Sequence, residues 1–411
     1  MSSVKDTINT QAQKIIEKAK IVFNAENNNQ TIAILFLTLI AITLVFMFSV
    51  YLRDKLSLLN RNNTRMAQNL AKDIKNTSIT SYDYDSDISY CLRDFYVMSS
   101  NNSCCGGYLM NDFVDYKPLE NVISMGCRCL DFDIYSKNGK AIVAAGKDNM
   151  EDNKYVIKGT YNGLPVDDVF KVIAKSAFDS AKCRNYKDAL IINLKIKTNR
   201  TQVFKTLAKS INKHFGSRLL FEKYGSSGKY AHLQGYDATF NVLDIPMNKL
   251  GGKVIISCYD VNKQFLDTEL NDYINMSNAM DNIKYAKNHD LTNTINNDSL
   301  IKFNKLGYTI CTPDISEFMS NPDANKQLNQ GCQIVKMNFS LYGKNLENYV
   351  NFFNEQNSAF VLKPANLRPK VINLRVPKQQ LSENIMDINK NPVERSVGFS
   401  TDGVNDISFK I

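Results

Sequence analysis

Asp131 and Asp133 stand two apart in Cys129-Leu-Asp-Phe-Asp-Ile-Tyr135, a run apolar enough to form a strand. Residues at i and i+2 of a strand point to one face, so these carboxylates are placed to share a metal ion. Cys104, Cys105, Cys127 and Cys129 form the other set with metal-ligating chemistry, and zinc is the ion such thiolates would take. His214, His232 and His289 are the only imidazoles in the chain, hence the only side chains whose ordinary pKa suits proton transfer at neutral pH.

The elements that must hold these groups are short apolar runs alternating with helical stripes. Ala189–Ile196, Lys253–Tyr259, Gln333–Phe339 and Ala359–Leu362 join Cys129–Tyr135 as near-continuous β-branched runs, which suit strands buried on both faces. Val166, Val169, Phe170, Ile173, Ala174, Ala177 and Phe178 form one helical stripe. Val203, Phe204, Leu207, Ala208 and Ile211 form another. Strands alternating with helices over about 280 residues predict an α/β fold, a parallel sheet closed into a distorted TIM (β/α)₈ barrel.

A single transmembrane helix is expected ahead of it. The twenty-two residues Thr31–Leu52 carry no charge, and a spanning helix needs about 20. Arg53 follows directly, where a cleaved signal peptide would end in small residues. Arg53, Lys55, Arg61 and Arg65 outnumber the cations before the span, which predicts that the C-terminal side faces the cytoplasm. Nine cysteines, an odd number in no disulfide-framework spacing, agree with a reducing compartment. Residues 1–30 read as an amphipathic segment, either on the membrane surface or in a short coiled-coil contact, and 53–88 as a polar stalk. The net charge of +9 is spread along the chain, and there is no tryptophan. That suits an anionic bilayer surface and gives no footprint for nucleic acid. The Asn- and Lys-rich composition suggests an AT-rich genome, such as that of a large DNA virus or a protist. The expected setting is therefore a viral or intracellular membrane, with other membrane or virion proteins as partners.

Six stretches in order carry a family resemblance. Tyr96-Val-Met-Ser-Ser-Asn-Asn-Ser103 and Gly126-Cys-Arg-Cys-Leu-Asp-Phe-Asp133 open it, and Leu190-Ile-Ile-Asn-Leu194 and Leu250-Gly-Gly-Lys-Val-Ile-Ile256 continue it. Gly331-Cys-Gln-Ile-Val-Lys-Met-Asn-Phe339 and Phe360-Val-Leu-Lys-Pro-Ala-Asn-Leu-Arg368 complete it. Together they resemble the X and Y halves of eukaryotic phosphoinositide-specific phospholipase C. The resemblance implies an X-like half over 89–262, a Y-like half over 263–375 and a C-terminal tail over 376–411. Pro369–Pro377 looks like the first strand of the lipid-binding sandwich that follows the barrel in that family. The 43 residues after Arg368 are too few for the whole sandwich.

In that family one histidine acts as base on the inositol 2-hydroxyl, a second assists the leaving oxygen, and calcium is held by Asn, Glu, Asp and Glu. Carried over residue by residue, Asn101 falls at the first histidine and Ala145 at the second. Asn102 and Asp133 are retained, Asp131 replaces a Glu, and Lys195 falls at the last calcium carboxylate. Ser257 and Tyr259 fall at the two phosphate-reading lysines, and no arginine lies around Leu306–Pro313. None of the three histidines lies on these motifs. Structural or surface roles are therefore expected for all three, and His232 is the only one with any claim on the site. Cys127 and Cys129 match cysteines of the family's strand, so core packing replaces zinc as their expected role.

The resemblance therefore implies a membrane-anchored phospholipase C-like pseudoenzyme, a structural or binding module without a cofactor, calcium entering only if the vestigial set Asn102, Asp131 and Asp133 still binds it. The first alternative is a phosphoinositide or inositol-phosphate binder using Lys195, with Ser257 and Tyr259 beside it. The second is a phosphoric diester hydrolase of the phosphatidylinositol phospholipase C type with altered catalytic residues.

Overall fold

The computed structural model describes residues 13–14, 17–18, 28–85, 90–146, 158–220, 241–294, 296–314, 320–376 and 405–410. Most of the expected amphipathic segment over 1–30, His232 and most of the tail over 376–411 lie outside these residues. Two compact units are distinguished, Met1–Arg61 and Asn62–Ile411.

Helix α1 spans Asn28–Asn76, and among the described residues it is the one helix long and apolar enough to cross a membrane. In the first unit its large side chains, Phe36, Leu44, Val45 and Phe46 among them, are exposed. The hydroxyls of Thr38, Thr43 and Ser49 donate to the carbonyls of Ile34, Leu39 and Val45 at 2.7, 2.8 and 2.7 Å. Each of these three hydroxyls thereby closes on its own helix.

In the second unit the remainder of α1 is part of the folded domain. Met66 and Leu70 are buried in the main core, as is Ile79 beyond the helix. Asn62 Nδ2 donates to Asp112 Oδ2 at 2.7 Å and Asn63 Nδ2 to Asp115 Oδ2 at 2.5 Å. The segment read as a polar stalk over 53–88 includes these residues of α1. Its polar composition hid a sparse apolar stripe, and Asn62, Asn63 and Asp73 have partners elsewhere in the domain.

The domain holds two mixed sheets. The first contains β2 (Cys129–Lys137), β3 (Lys140–Ala144), β4 (Leu164–Pro165), β5 (Leu190–Ile196), β6 (Val254–Asp260) and β7 (Met276–Ser277), in the order β4-β3-β2-β5-β6-β7. The second contains β1 (Phe95–Val97), β8 (Ile283–Lys287), β9 (Tyr308–Thr312), β10 (Ile334–Val335) and β11 (Phe360–Leu362), in the order β11-β1-β10-β9-β8. Parallel bridges Ser99–Cys129 and Ser100–Met337 tie the end of β1 to both neighbours. Eight strands, β1, β2 and β5 to β10, therefore follow one another in parallel. No pairing joins β7 to β8 among the described residues, so their pairings give a parallel array and do not show the expected closed (β/α)₈ ring. The five-residue link between these strands, 278–282, leaves no room for a crossover helix.

Helices cover the outer face. α2 (Tyr116–Ser124), α3 (Val166–Ser176) and α4 (Thr201–Phe215) pack in sequence order. Val166, Val169, Phe170 and Ile173 of the first stripe are buried in α3 and the whole second stripe in α4, and Phe170 meets Phe215 with ring centroids 5.3 Å apart. Burying each such ring contributes roughly 1.5–3 kcal/mol. A further antiparallel pair, β12 (Val371–Val376) with β13 (Asn405–Lys410), crosses the expected boundary between the Y-like half and the tail.

Candidate functional site

Register decides which side chains meet inside the array. Asp131 pairs with Asn193 and Asn193 with Ser257, while Asp133 pairs with Lys195 and Lys195 with Tyr259. Parallel neighbours in register share a face, so these six form two adjacent rows. The opposite face carries Leu130, Phe132, Ile192, Leu194 and Ile256, all buried. The sequence thus alternates polar and apolar within runs that look uniformly apolar, and its polar members gather at one place.

The hub is Asp131. Its Oδ1 accepts from Lys336 Nζ at 2.9 Å and from Asn193 Nδ2 at 2.5 Å, and its Oδ2 accepts from the Asn102 backbone N–H at 3.2 Å. Asp131 and Lys336 are both 0% exposed, Asp133 2% and Lys195 4%. Two acidic and two basic side chains are therefore buried, three of them on the neighbouring strands β2 and β5. Burial pushes the Asp131 carboxyl up, but Lys336, Lys195 and the Asn193 amide more than reverse this and hold it below its ordinary value. Burial draws Lys336 down from the ordinary lysine value, and Lys195 adds to that while Asp131 opposes it.

The loop after β1 supplies the asparagines. Asn102 adopts a left-handed φ of 43°, which asparagine tolerates better than other side chains. Ser103 N–H donates to the Asp131 carbonyl at 2.9 Å while the Asp131 N–H donates to Ser103 Oγ at 2.9 Å, locking the loop to β2. Asn101 turns its amide away from proton transfer, donating through Nδ2 to Asn338 Oδ1 at 2.8 Å. Ala145 follows Ala144, the cross-strand partner of Asp133, and is fully buried. Ser257 is also fully buried, its Oγ 2.6 Å from the Tyr285 hydroxyl, and Tyr259 meets Tyr285 with ring planes tilted by 54° and centroids 5.0 Å apart.

The residues singled out from the sequence, Asn101, Asn102, Asp131, Asp133, Ala145, Lys195, Ser257 and Tyr259, are thus placed along contiguous strands and their loops. Sequence reasoning missed Lys336, Asn193 and Asn338. Lys336 had a legible signal: a lysine inside Ile-Val-Lys-Met-Asn-Phe needs a buried anion if that run is a core strand.

The donor set can be tested against a calcium ion. Oδ1 of Asp131 already takes two donors, one of them an ammonium, and a second ammonium lies one strand away. The set resembles a filled ion pair rather than the excess of anionic oxygens that calcium takes. His214 Nε2 instead meets Asp167 Oδ1 at 2.9 Å beside Lys213, and His289 contacts Asn293. Neither ring belongs to this site. Cys104, Cys105, Cys127 and Cys129 are all buried, and burial pushes the Cys129 thiol up to about 12.

Residues 88–257 match the family described as phosphatidylinositol-specific phospholipase C, X domain. The fold is phospholipase C-like. Among solved structures, L. pealei PLC21 is 18% identical with a TM-score of 0.53, the alignment covering 70% of this chain and 39% of that one. S. officinalis PLC21 is 19% identical with a TM-score of 0.54, covering 70% and 38%. The chain thus spans about two fifths of the length of either protein, and at this identity the likeness concerns the phospholipase C-like fold alone. No curated protein matches the chain.

Proposed function

We propose that this chain is a non-catalytic phospholipase C-like module, held on a membrane by residues 31–52 and serving there as a structural or binding domain. The observation that carries this reading is the state of the two proton-transfer positions. Asn101 stands at one with its amide donating to Asn338, and a buried alanine, Ala145, stands at the other. A neutral amide cannot take the proton of an attacking hydroxyl, and a methyl group cannot return one to a leaving oxygen. Each such group typically contributes about 10²–10⁴ in rate, so loss of both leaves negligible turnover. The cationic flank after the apolar segment supports a cytoplasmic domain.

The test is hydrolysis of phosphatidylinositol and its bisphosphate in mixed vesicles by the full chain, with and without calcium. The expected result is release no faster than in protein-free vesicles, and turnover abolished by Asp131→Asn would overturn the proposal. The burial of Lys195 favours a structural role for it over headgroup binding. In flotation assays the chain is expected to bind vesicles independently of phosphoinositide content, and to do so equally after Lys195→Glu.

A further inference from the structure

We infer that Lys336, with Lys195 beside it, is a built-in cation standing where the resemblance places a metal, so that the interior of this domain is held by the protein's own ammonium groups and is indifferent to divalent ions. The inference rests on the phospholipase C-like reading but concerns metal dependence rather than catalysis.

A buried carboxylate needs a counter-charge, which can come from a bound ion or from a side chain. Here it comes from a side chain: Lys336 Nζ lies 2.9 Å from Asp131 Oδ1, with neither group exposed. Lys195 occupies the register position next to Asp133, so the second carboxylate also has a cationic neighbour in the sheet. A divalent ion entering this cluster would have to displace an ammonium or sit beside two of them. Like charges a few ångströms apart in a poorly solvated interior repel by several kcal/mol. Lys336 directly follows β10, a strand of the second sheet, so the pair also ties that sheet to the first. A bridging ion can perform the same mechanical task, and here a covalently tethered group performs it without dissociating.

The experiment uses the full chain in detergent micelles, read by circular dichroism during heating and by calorimetric titration with calcium chloride. For the wild type, the melting curves in millimolar calcium and in excess chelator are expected to superimpose, and the titration is expected to show no saturable heat. The combined variant Lys195→Glu with Lys336→Met restores an excess of carboxylate. It is expected to bind calcium at one site and to melt higher in calcium than in chelator. If that variant does not fold, the pair Asp131→Asn with Lys336→Met supplies the second measurement. It removes both charges, and is expected to fold and to melt identically in calcium and chelator. Saturable calcium binding by the wild type that Asp131→Asn abolishes would overturn the inference. So would a folded Lys195→Glu, Lys336→Met variant that ignores calcium. Neither result depends on whether phosphatidylinositol is hydrolysed.

Discussion

Lys336 Nζ lies 2.9 Å from Asp131 Oδ1, and the two side chains approach from different sheets with neither reaching solvent. Replacing one member of such a pair leaves a buried charge uncompensated, which costs about 3–5 kcal/mol. Lys336→Met is therefore expected to lose that much stability in urea unfolding. Adding Asp131→Asn should restore most of the loss, because the orphaned charge is then gone. A double variant no more stable than Lys336→Met would mean that the pair is not what the single substitution disrupts.

Asp188 should make the domain more stable in mild acid. It accepts from the Tyr82 N–H at 2.7 Å, from the Tyr84 hydroxyl at 3.3 Å and from Asn185 Nδ2 at 3.2 Å, fastening the segment that follows α1. Burial pushes its carboxyl up from 3.8 to about 6, with Arg128 only partly offsetting this. The folded state thus binds the proton more tightly than the unfolded chain. Its stabilising effect is complete below the unfolded value and is lost as pH rises through the folded one. Relative to Asp188→Asn, the wild type is expected to lose melting temperature between about pH 4 and about pH 6. A constant difference across that window would contradict the shift.

Lys363 carries the opposite pH dependence at the alkaline end. Its Nζ donates to the Asn304 carbonyl at 2.7 Å, and burial draws its pKa down from 10.5 to about 7 despite the neighbouring Asp94. Between those values the unfolded chain binds the proton that the folded domain has released, so stability rises with pH there. Lys363→Met should flatten this rise. The check is a series of urea midpoints from neutral to alkaline pH, wild type against variant.

Asn62 and Asn63 fasten Asp112 and Asp115 to α1, and Gly106-Gly107 lie close against the two asparagines. A Cβ on Gly107 would collide with the Asp112 carboxylate and the Asn62 amide, and one on Gly106 would lie 2.7 Å from Asn63 Oδ1. Asn62→Ala leaves the buried Asp112 short of a donor and is expected to cost about 1–3 kcal/mol. Gly107→Ala should cost at least as much. Both should speed amide exchange between residues 105 and 115, and unchanged exchange there would show the contact to be dispensable.

Much of the fold was legible in the sequence because the period of the pattern was strong. The stripes of α3 and α4 and the strands β2, β5 and β6 fall where their apolar residues predict. Motifs of fixed order place Asn102 in the loop after β1, and Asp131 and Lys195 on the neighbouring strands β2 and β5. What was not legible depended on partners distant in the chain. Lys336 and Asp131 are 205 residues apart, and only the fold makes one the counter-ion of the other. Residues 62–76 looked like stalk because only Met66 and Leu70 mark their buried face, and the asparagines beside them became structural only through Asp112 and Asp115.

β1 is the earliest strand of the array, yet both strands that pair with it come from the other end of the fold: Val97 pairs with Ile334 and with Phe360, and Phe95 with Leu362. During synthesis these three residues emerge without either partner and stay so while more than half the chain is still to be made. Contacts of such long sequence separation are slow to form, and they leave strand edges bare in the meantime. Pairing of the first strand with β10 and β11 therefore waits for Ile334 and then Phe360–Leu362 to leave the ribosome.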